Sequence, residues 1–418
     1  MRHWLEGTFA AFGTREFRVL WFGTLFSFLA FFMSTIVQSV VAFELTGDNG
    51  AVGFVVFAQG LAMLLLGPFG GAFADRWPKR RVVAVAQSIT FSVFVTLAFM
   101  VATNTIQLLA LAAGSLVMGC TIAFMGPARQ ALVIDLVPEA VRGNAMALSQ
   151  VANSASRVVG PALAGLLLAW AVSGATGAYA TMAAFYAVSV ASLILLPRSR
   201  VRADVGETRV LADVAAGLRY VAGHERLRLL IALFVAVIMT GYPYVTVLPG
   251  LVEHQLGHEA QEISLLYLVT AVGALTASLT LARYADSRHA VRIFASMGFL
   301  FGLALLGLSQ VPSYEVAVAW MIVVGVTSGG FQSLSGAVIV RVVEPGFIGR
   351  VMSLTMLAFA GFGLMGLPIG LLADELGERT ALAFLGGAVC VIVGVIGPLA
   401  ARRARTAPEG PASGYPGR

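Results

Sequence analysis

Charge is scarce in this chain of 418 residues: Asp, Glu, Lys and Arg together make up 11% of it, and it has only two cysteines and five histidines. Soluble domains average about 25% charged residues, so this composition excludes an ordinary water-soluble globule. Cys120 and Cys390 fall inside apolar runs in opposite halves of the sequence, which excludes a disulfide framework and offers no metal-ligand spacing. No Walker-type phosphate loop, nucleophile elbow or zinc-protease helix occurs. No span holds paired carboxylates or a Cys/His or Ser/His set, so neither an ATP motor nor an active site is visible. The expectation is a protein that is no enzyme and that holds no cofactor or metal.

What the chain has is 58% hydrophobic residues, gathered in runs of about 20. In lipid a backbone must satisfy its own hydrogen bonds, and runs of this length do so as helices rather than as the alternating ten-residue segments of a barrel. The class is an all-α membrane protein. Spans are expected near 18–43, 53–74, 81–102, 107–130, 144–170, 177–197, 228–252, 264–284, 291–310, 315–338, 350–373 and 380–401, twelve in all. Met1 to Arg18 is too polar for a signal peptide, so the first span is read as retained.

The net charge of +6 invites a nucleic-acid reading, but the basic residues sit in short loops between apolar runs, the pattern that sets membrane orientation. With a cytoplasmic N-terminus, all of the 27 Lys and Arg residues except Arg157 and Arg379 lie in cytoplasmic segments or at cytoplasmic helix ends. Both termini are then inside, in a bacterial-type inner membrane, and nucleic acid is no partner. Residues 198–227 form the longest internal polar segment, dividing a six-helix bundle over 1–197 from a second over 228–402, with a tail at 403–418. Val210, Val214, Leu218 and Val221 recur there at helical spacing, as in a short amphipathic helix on the cytoplasmic interface.

The two bundles repeat each other. An offset of 206 residues pairs Gly119 with Gly325, Thr121 with Thr327, Ala131 with Ala337, Gly143 with Gly349, Met146 with Met352 and Gly160 with Gly366. At a slightly different offset Ala74-Asp75 matches Ala285-Asp286, each followed by an arginine, Arg81 and Arg292. A 6+6 parallel duplication is how secondary transporters build two bundles that rock around a site at the bilayer midplane.

The loop Gly71-Ala-Phe-Ala-Asp75-Arg76-Trp-Pro-Lys79-Arg80-Arg81 resembles the cytoplasmic signature of the major facilitator superfamily, with Pro78 where the family pattern has glycine. Arg157-Val-Val-Gly160-Pro161-Ala-Leu-Ala-Gly165 is similar to the Gly-Pro signature of the superfamily's exporters, lacking the second of its terminal glycines. Together they resemble the macrolide-efflux and enterobactin-exporter branch of drug:proton antiporters across essentially the whole chain. The resemblance implies two pseudo-symmetric six-helix bundles working by alternating access. It also implies a cytoplasmic gate at Gly71, Asp75, Arg76, Arg80, Arg81 and Asp286. Gly160, Pro161 and Gly165 would be a hinge, since proline removes a backbone donor and glycine allows close helix contact. The arginine that many antiporters carry in the fourth helix would fall at Ser115 and is absent.

Arg157 lies about 13 residues into the fifth span, or roughly 20 Å at ~1.5 Å per residue. At such depth an arginine costs about 2.5–3.5 kcal/mol on insertion scales and marks a cavity or a partner. Asn153, one turn earlier, extends a polar stripe. Gln38, Gln59 and Gln332 are further candidate cavity groups, and Phe32, Tyr242 and Tyr244 candidate aromatic walls for an amphipathic ligand. No Asp or Glu occupies the middle third of a span, so a coupling proton is assigned to a carboxylate near an end, Glu44 or Asp135, the latter with a competing structural pairing to Arg142. Two lures are set aside. Gly361-Phe-Gly363-Leu-Met-Gly366 has the dinucleotide spacing without a preceding strand and reads as close helix packing. His254 and His258, four apart beside acidic residues, read as a solvated loop rather than a metal site.

The function expected is secondary-active export of amphipathic small molecules of drug or siderophore type, with protons as coupling ion, by a monomer among membrane lipids. The alternative on the same fold is a lipid or lysolipid transporter or a small-molecule importer, and a remote one is a non-transporting receptor or membrane enzyme.

Overall fold

The computed structural model describes residues 9–170, 174–197, 210–259, 262–284, 287, 289–344 and 347–406. Twelve helices in it are long and apolar enough to cross a membrane, the number expected from the apolar runs. The first six are α1 Arg15–Thr46, α2 Asn49–Arg76, α3 Lys79–Ala102, α4 Leu108–Leu136, α5 Arg142–Leu168 and α6 Gly174–Ile194. A shorter helix, α7 Val210–Gly223, precedes the second set. The seventh span is interrupted, α8 Glu225–Thr240 and α9 Tyr244–Gly250 being separated at Pro243, with a π-helical turn over Leu251–Gln255. Then follow α10 Ile263–Leu281, α11 Ala290–Leu308, α12 Tyr314–Val340, α13 Ile348–Leu376 and α14 Glu378–Thr406.

Hydroxyl groups inside the spans are satisfied locally, as lipid requires. Ser39, Thr90, Ser149 and Thr240 each donate to the carbonyl four residues earlier. Tight turns end the helices where glycine takes a left-handed backbone: Gly47, at φ +74, closes α1 two residues before α2 begins, and Gly377, at φ +85, separates α13 from α14.

The repeat read from sequence reappears as packing. In the first half α2 lies on α4, α3 on α4 and α6, and α1 on α5 and α6. In the second half the corresponding pairs are α10 on α12, α11 on α12 and α14, and α8 on α13 and α14. Gly119 and Gly325, paired by the 206-residue offset, do the same job. A Cβ on Gly119 would strike the Gln59 carbonyl of α2, and one on Gly325 the Thr270 carbonyl of α10. We expect Gly119→Leu and Gly325→Leu each to cost about 1–3 kcal/mol of stability or more, read as a lowered midpoint of thermal unfolding in detergent.

The halves meet along α2 with α13 and along α5 with α10. Gly60 on α2 and Gly363 on α13 let the backbones touch: a Cβ on Gly60 would stand 2.6 Å from the Gly363 Cα, and Gly53 and Gly366 are in similar contact. The glycine triplet of α13 therefore serves close helix packing. Farther along α2, a Cβ on Gly67 would meet nothing within 4 Å. Helix α7 contacts both α13 and α2, and Tyr220 anchors it to the second half, its ring stacking on Phe347 at 4.0 Å and its hydroxyl accepting the Glu344 backbone N–H at 3.2 Å. Val221 is buried and Leu218 exposed, while the side chains of Val210 and Val214 lie outside the described residues.

Candidate functional site

Arg157 stands near the middle of α5, half-buried, where the two halves face each other. Its Nε donates to Asn153 Oδ1 at 3.2 Å, one turn back on the same helix, as the spacing suggested. Its guanidinium lies 5.3 Å from the Phe32 ring of α1 and 5.5 Å from the Phe359 ring of α13. Phe32 belongs to the first half and Phe359 to the second, so one charge is held between aromatic faces that alternating motion would part. Among the described residues it makes no ion pair.

The other residues expected to line a cavity divide into two groups. Tyr242, at the break between α8 and α9, is half-buried; its hydroxyl donates to the Ser328 carbonyl at 2.9 Å, with Gln332 Oε1 at 3.4 Å, so Tyr242 and Gln332 adjoin on the second half. Gln59 is half-buried on α2. Gln38 and Tyr244, by contrast, are packed inside their bundles. Gln38 is buried, accepts a hydrogen bond from Ser115 and donates to Met118 Sδ at 3.4 Å, which spends its amide on α4. Tyr244 is buried and packs on Phe301 of α11 at 6.0 Å, the same ring that Tyr242 meets at 5.4 Å. Depth can be read from position along a span; which way a side chain faces cannot when the helix is apolar all round.

One buried arginine was missed. The fourth span extends to Leu136, not to 130, so Arg129 stands about seven residues, roughly 10 Å, inside its end. It is 5% exposed.

Across the acidic end runs a set of polar contacts between the halves. Asp374, in the last turn of α13, accepts the backbone N–H groups of Asn49 and Gly50, at 2.8 and 2.7 Å. These open α2, so a carboxylate of one half caps a helix of the other. Glu378 is 3% exposed and accepts from Asn49 Nδ2 at 3.0 Å and Gln255 Nε2 at 3.0 Å, with His254 Nδ1 at 2.7 Å. His254 is thus part of this clasp, and His258 pairs with Glu262 at 3.0 Å; among the described residues no group suited to a metal ion occurs. We expect Asp374→Ala to weaken the clasp by about 2 kcal/mol, on the order of 30-fold in population. Hydrogen exchange at the Asn49 and Gly50 amides should accelerate accordingly.

At the basic end Lys79 bonds Asp135 at 2.6 Å, joining the start of α3 to the end of α4. Arg142, the partner considered from sequence, instead lies 3.9 Å from Glu139. Arg80 donates to the Ile194 carbonyl at 3.0 Å and Arg81 is exposed. Beyond their helical backbone Gly71, Asp75 and Arg76 lie outside the described residues, as does all of Asp286. Glu44 is exposed in the last turn of α1. In α5, Pro161 is accommodated within a continuous helix, a Cβ on Gly160 would stand 2.8 Å from Phe32 Cβ, and one on Gly165 would stand 2.9 Å from Ser264 Cβ of α10.

Residues 6–409 match the family described as transmembrane secretion effector. The chain is 25% identical over 376 residues to the staphyloferrin A transporter of Staphylococcus aureus (strain NCTC 8325 / PS 47), covering 87% of this chain and 92% of that one. It is 21% identical to macrolide efflux protein A of Streptococcus pyogenes, covering 92% and 95%. Among solved structures it is similar to the peptide transporter POT in complex with sulfate, with TM-score 0.72 at 15% identity over 94% of this chain and 95% of that one. It also resembles a bacterial homologue of the human lysosomal transporter Spinster, with TM-score 0.69 at 15% identity over 94% and 98%. Both structural likenesses show the fold: two six-helix bundles of the major facilitator type.

Proposed function

The chain belongs to the transmembrane secretion effector family of the major facilitator superfamily, and from that premise we propose that it exports amphipathic small molecules by alternating access, coupled to protons. The observation that carries this reading is Arg157, a guanidinium near mid-span clasped by Phe32 of one half and Phe359 of the other. A ligand entering between those rings would be felt by both bundles. Arg157, Asn153, Tyr242, Gln332 and Gln59 line the path in this reading, Gly160-Pro161 and Gly165 act as the hinge of α5, and the Asp75 loop is the gate at the basic end. That end, with both termini, faces the cytoplasm of a bacterial inner membrane. Relatives named staphyloferrin A transporter and macrolide efflux protein A support export of a small organic molecule.

For coupling, the relevant carboxylates are Glu44 and Asp135. A proton on Asp135 would break its 2.6 Å bond to Lys79 and free the start of α3 beside the gate. The experiment is transport in reconstituted vesicles with an imposed pH gradient. Export should accelerate when the compartment facing the acidic end is the more acidic, and Asp135→Asn should make the rate indifferent to the gradient. Substrate movement that ignores the gradient in the unmodified protein excludes proton antiport, and accumulation of substrate in cells carrying the gene excludes export.

A further inference from the structure

Two arginines of the first half lie within membrane-spanning helices with no group of opposite sign beside them among the described residues. Arg129 on α4 donates from Nη2 to Ser27 Oγ at 2.9 Å and to Met125 Sδ at 3.1 Å, and its guanidinium sits 4.8 Å from the Phe28 ring. Its Nε is a buried donor with no acceptor. Arg157 on α5 stacks on Phe32. Phe28 and Phe32 are four residues apart on α1, so their rings share one face, roughly 6 Å apart along the helix axis. Two positive charges from two different helices thus flank consecutive turns of one aromatic strip.

Among the described residues neither arginine has a carboxylate partner, and the acceptors they do have are neutral: a hydroxyl, an amide and a thioether. Burying an unpaired charge is costly, and this bundle does so twice with the same sign. A protein serving only to pack these helices would carry Leu or Gln at such places. A cavity meant for cations would repel its substrate with this pair. The arrangement instead fits a ligand that brings the missing charge, since a guanidinium matches carboxylate, sulfonate and phosphate oxygens with two parallel donors.

We propose that the site selects amphipathic organic anions, whose acidic group is held by Arg157 and Arg129 and whose apolar body lies along Phe32 and Phe359. This rests on the exporter reading and names the substrate class. Arg157, on the side facing the second half, is the first contact. Arg129, nearer the basic end and with an unused Nε donor, would hold the group on the cytoplasmic side of Arg157.

Binding is the direct test, by thermal stabilisation of the purified protein in detergent. Three probes share one aromatic body: a naphthalene sulfonate, the neutral naphthyl methyl sulfone, and a naphthylmethyl trimethylammonium cation. The sulfonate should raise the unfolding temperature and the other two should not. Arg157→Gln and Arg129→Gln should each weaken sulfonate binding by about 10- to 100-fold, and Arg157→Lys should restore part of it. Should Arg129→Gln fail to fold, Arg129→Lys serves in its place, keeping the charge while losing the second parallel donor, with an expected loss of about 10-fold. Stabilisation by the cation or the neutral sulfone equal to that by the sulfonate overturns the proposal. So does no response to the sulfonate, or a response unchanged in Arg157→Gln. A protein that ignores the sulfonate yet exports a neutral or cationic dye from vesicles loses the anion site and keeps its function as an exporter. One that binds the sulfonate through Arg157 but moves nothing keeps the site and loses export.

Discussion

Arg157→Ala is expected to reduce transport by about 10- to 100-fold while the protein still inserts and purifies as a folded species. The two effects separate because the side chain is expensive where it stands. Near mid-span a charge costs about 2.5–3.5 kcal/mol, and the partners it has, Asn153 and two phenyl rings, return only part of that. Removing it should leave stability unchanged or raised. What is lost is a charged contact near mid-span that touches both halves, and a charge-assisted hydrogen bond of about 1.5–3 kcal/mol to a bound group. The measurement pairs substrate flux in reconstituted vesicles with a thermal unfolding curve of the same preparation. Flux equal to that of the unmodified protein removes Arg157 from the path, and unfolding of the variant gives it a structural role instead.

Gly60→Leu should stop transport as completely by a different route. In the state described here α2 and α13 touch at backbone distance, and the Cβ alone would come within 2.6 Å of Gly363 Cα and 2.8 Å of the Ala360 carbonyl. Neither atom can move aside as a flexible side-chain tip would. Each half has its own packing, so a wedge between them pushes the bundles apart without dismantling either. The acidic-end clasp of Asp374 and Glu378 should then open, and the protein should rest in the alternative conformation. Spin labels at the acidic ends of α2 and α13 would report a longer separation, and the Asn49 and Gly50 amides would exchange freely. Gly67→Leu is the control, because its Cβ meets no neighbour within 4 Å. Unaltered flux in Gly60→Leu would mean that this contact need not form during the cycle.

Much of the fold was legible because it follows from one-dimensional quantities. Twelve spans are visible as length and hydropathy, since a lipid-exposed backbone must satisfy its own hydrogen bonds and apolar runs of about 20 residues do so as helices. The repeat was legible as well: Gly119 and Gly325 match in sequence because both hold a helix against a backbone carbonyl. The site was legible only in depth. Arg157 stood out since a charge in an apolar run is conspicuous, and Asn153 followed from helical spacing. Arg129 did not, because the fourth span was ended at 130, which turned a buried arginine into a charge at a helix end. Gln38 and Tyr244 were placed in a cavity on depth alone, and their neighbours on α4 and α11 take them into the bundle cores.

The amino-acid sequence by itself determined that this is a helical membrane protein of two repeated halves, because solvation in lipid acts on each segment separately. Only the tertiary structure decided what crosses between the halves. Asp374 is 325 residues from the amide of Asn49 that it accepts, and Phe359 is distant in sequence from the arginine it covers. Contacts of that kind depend on how two bundles are set against each other, and no local pattern of hydropathy, charge or spacing encodes that placement.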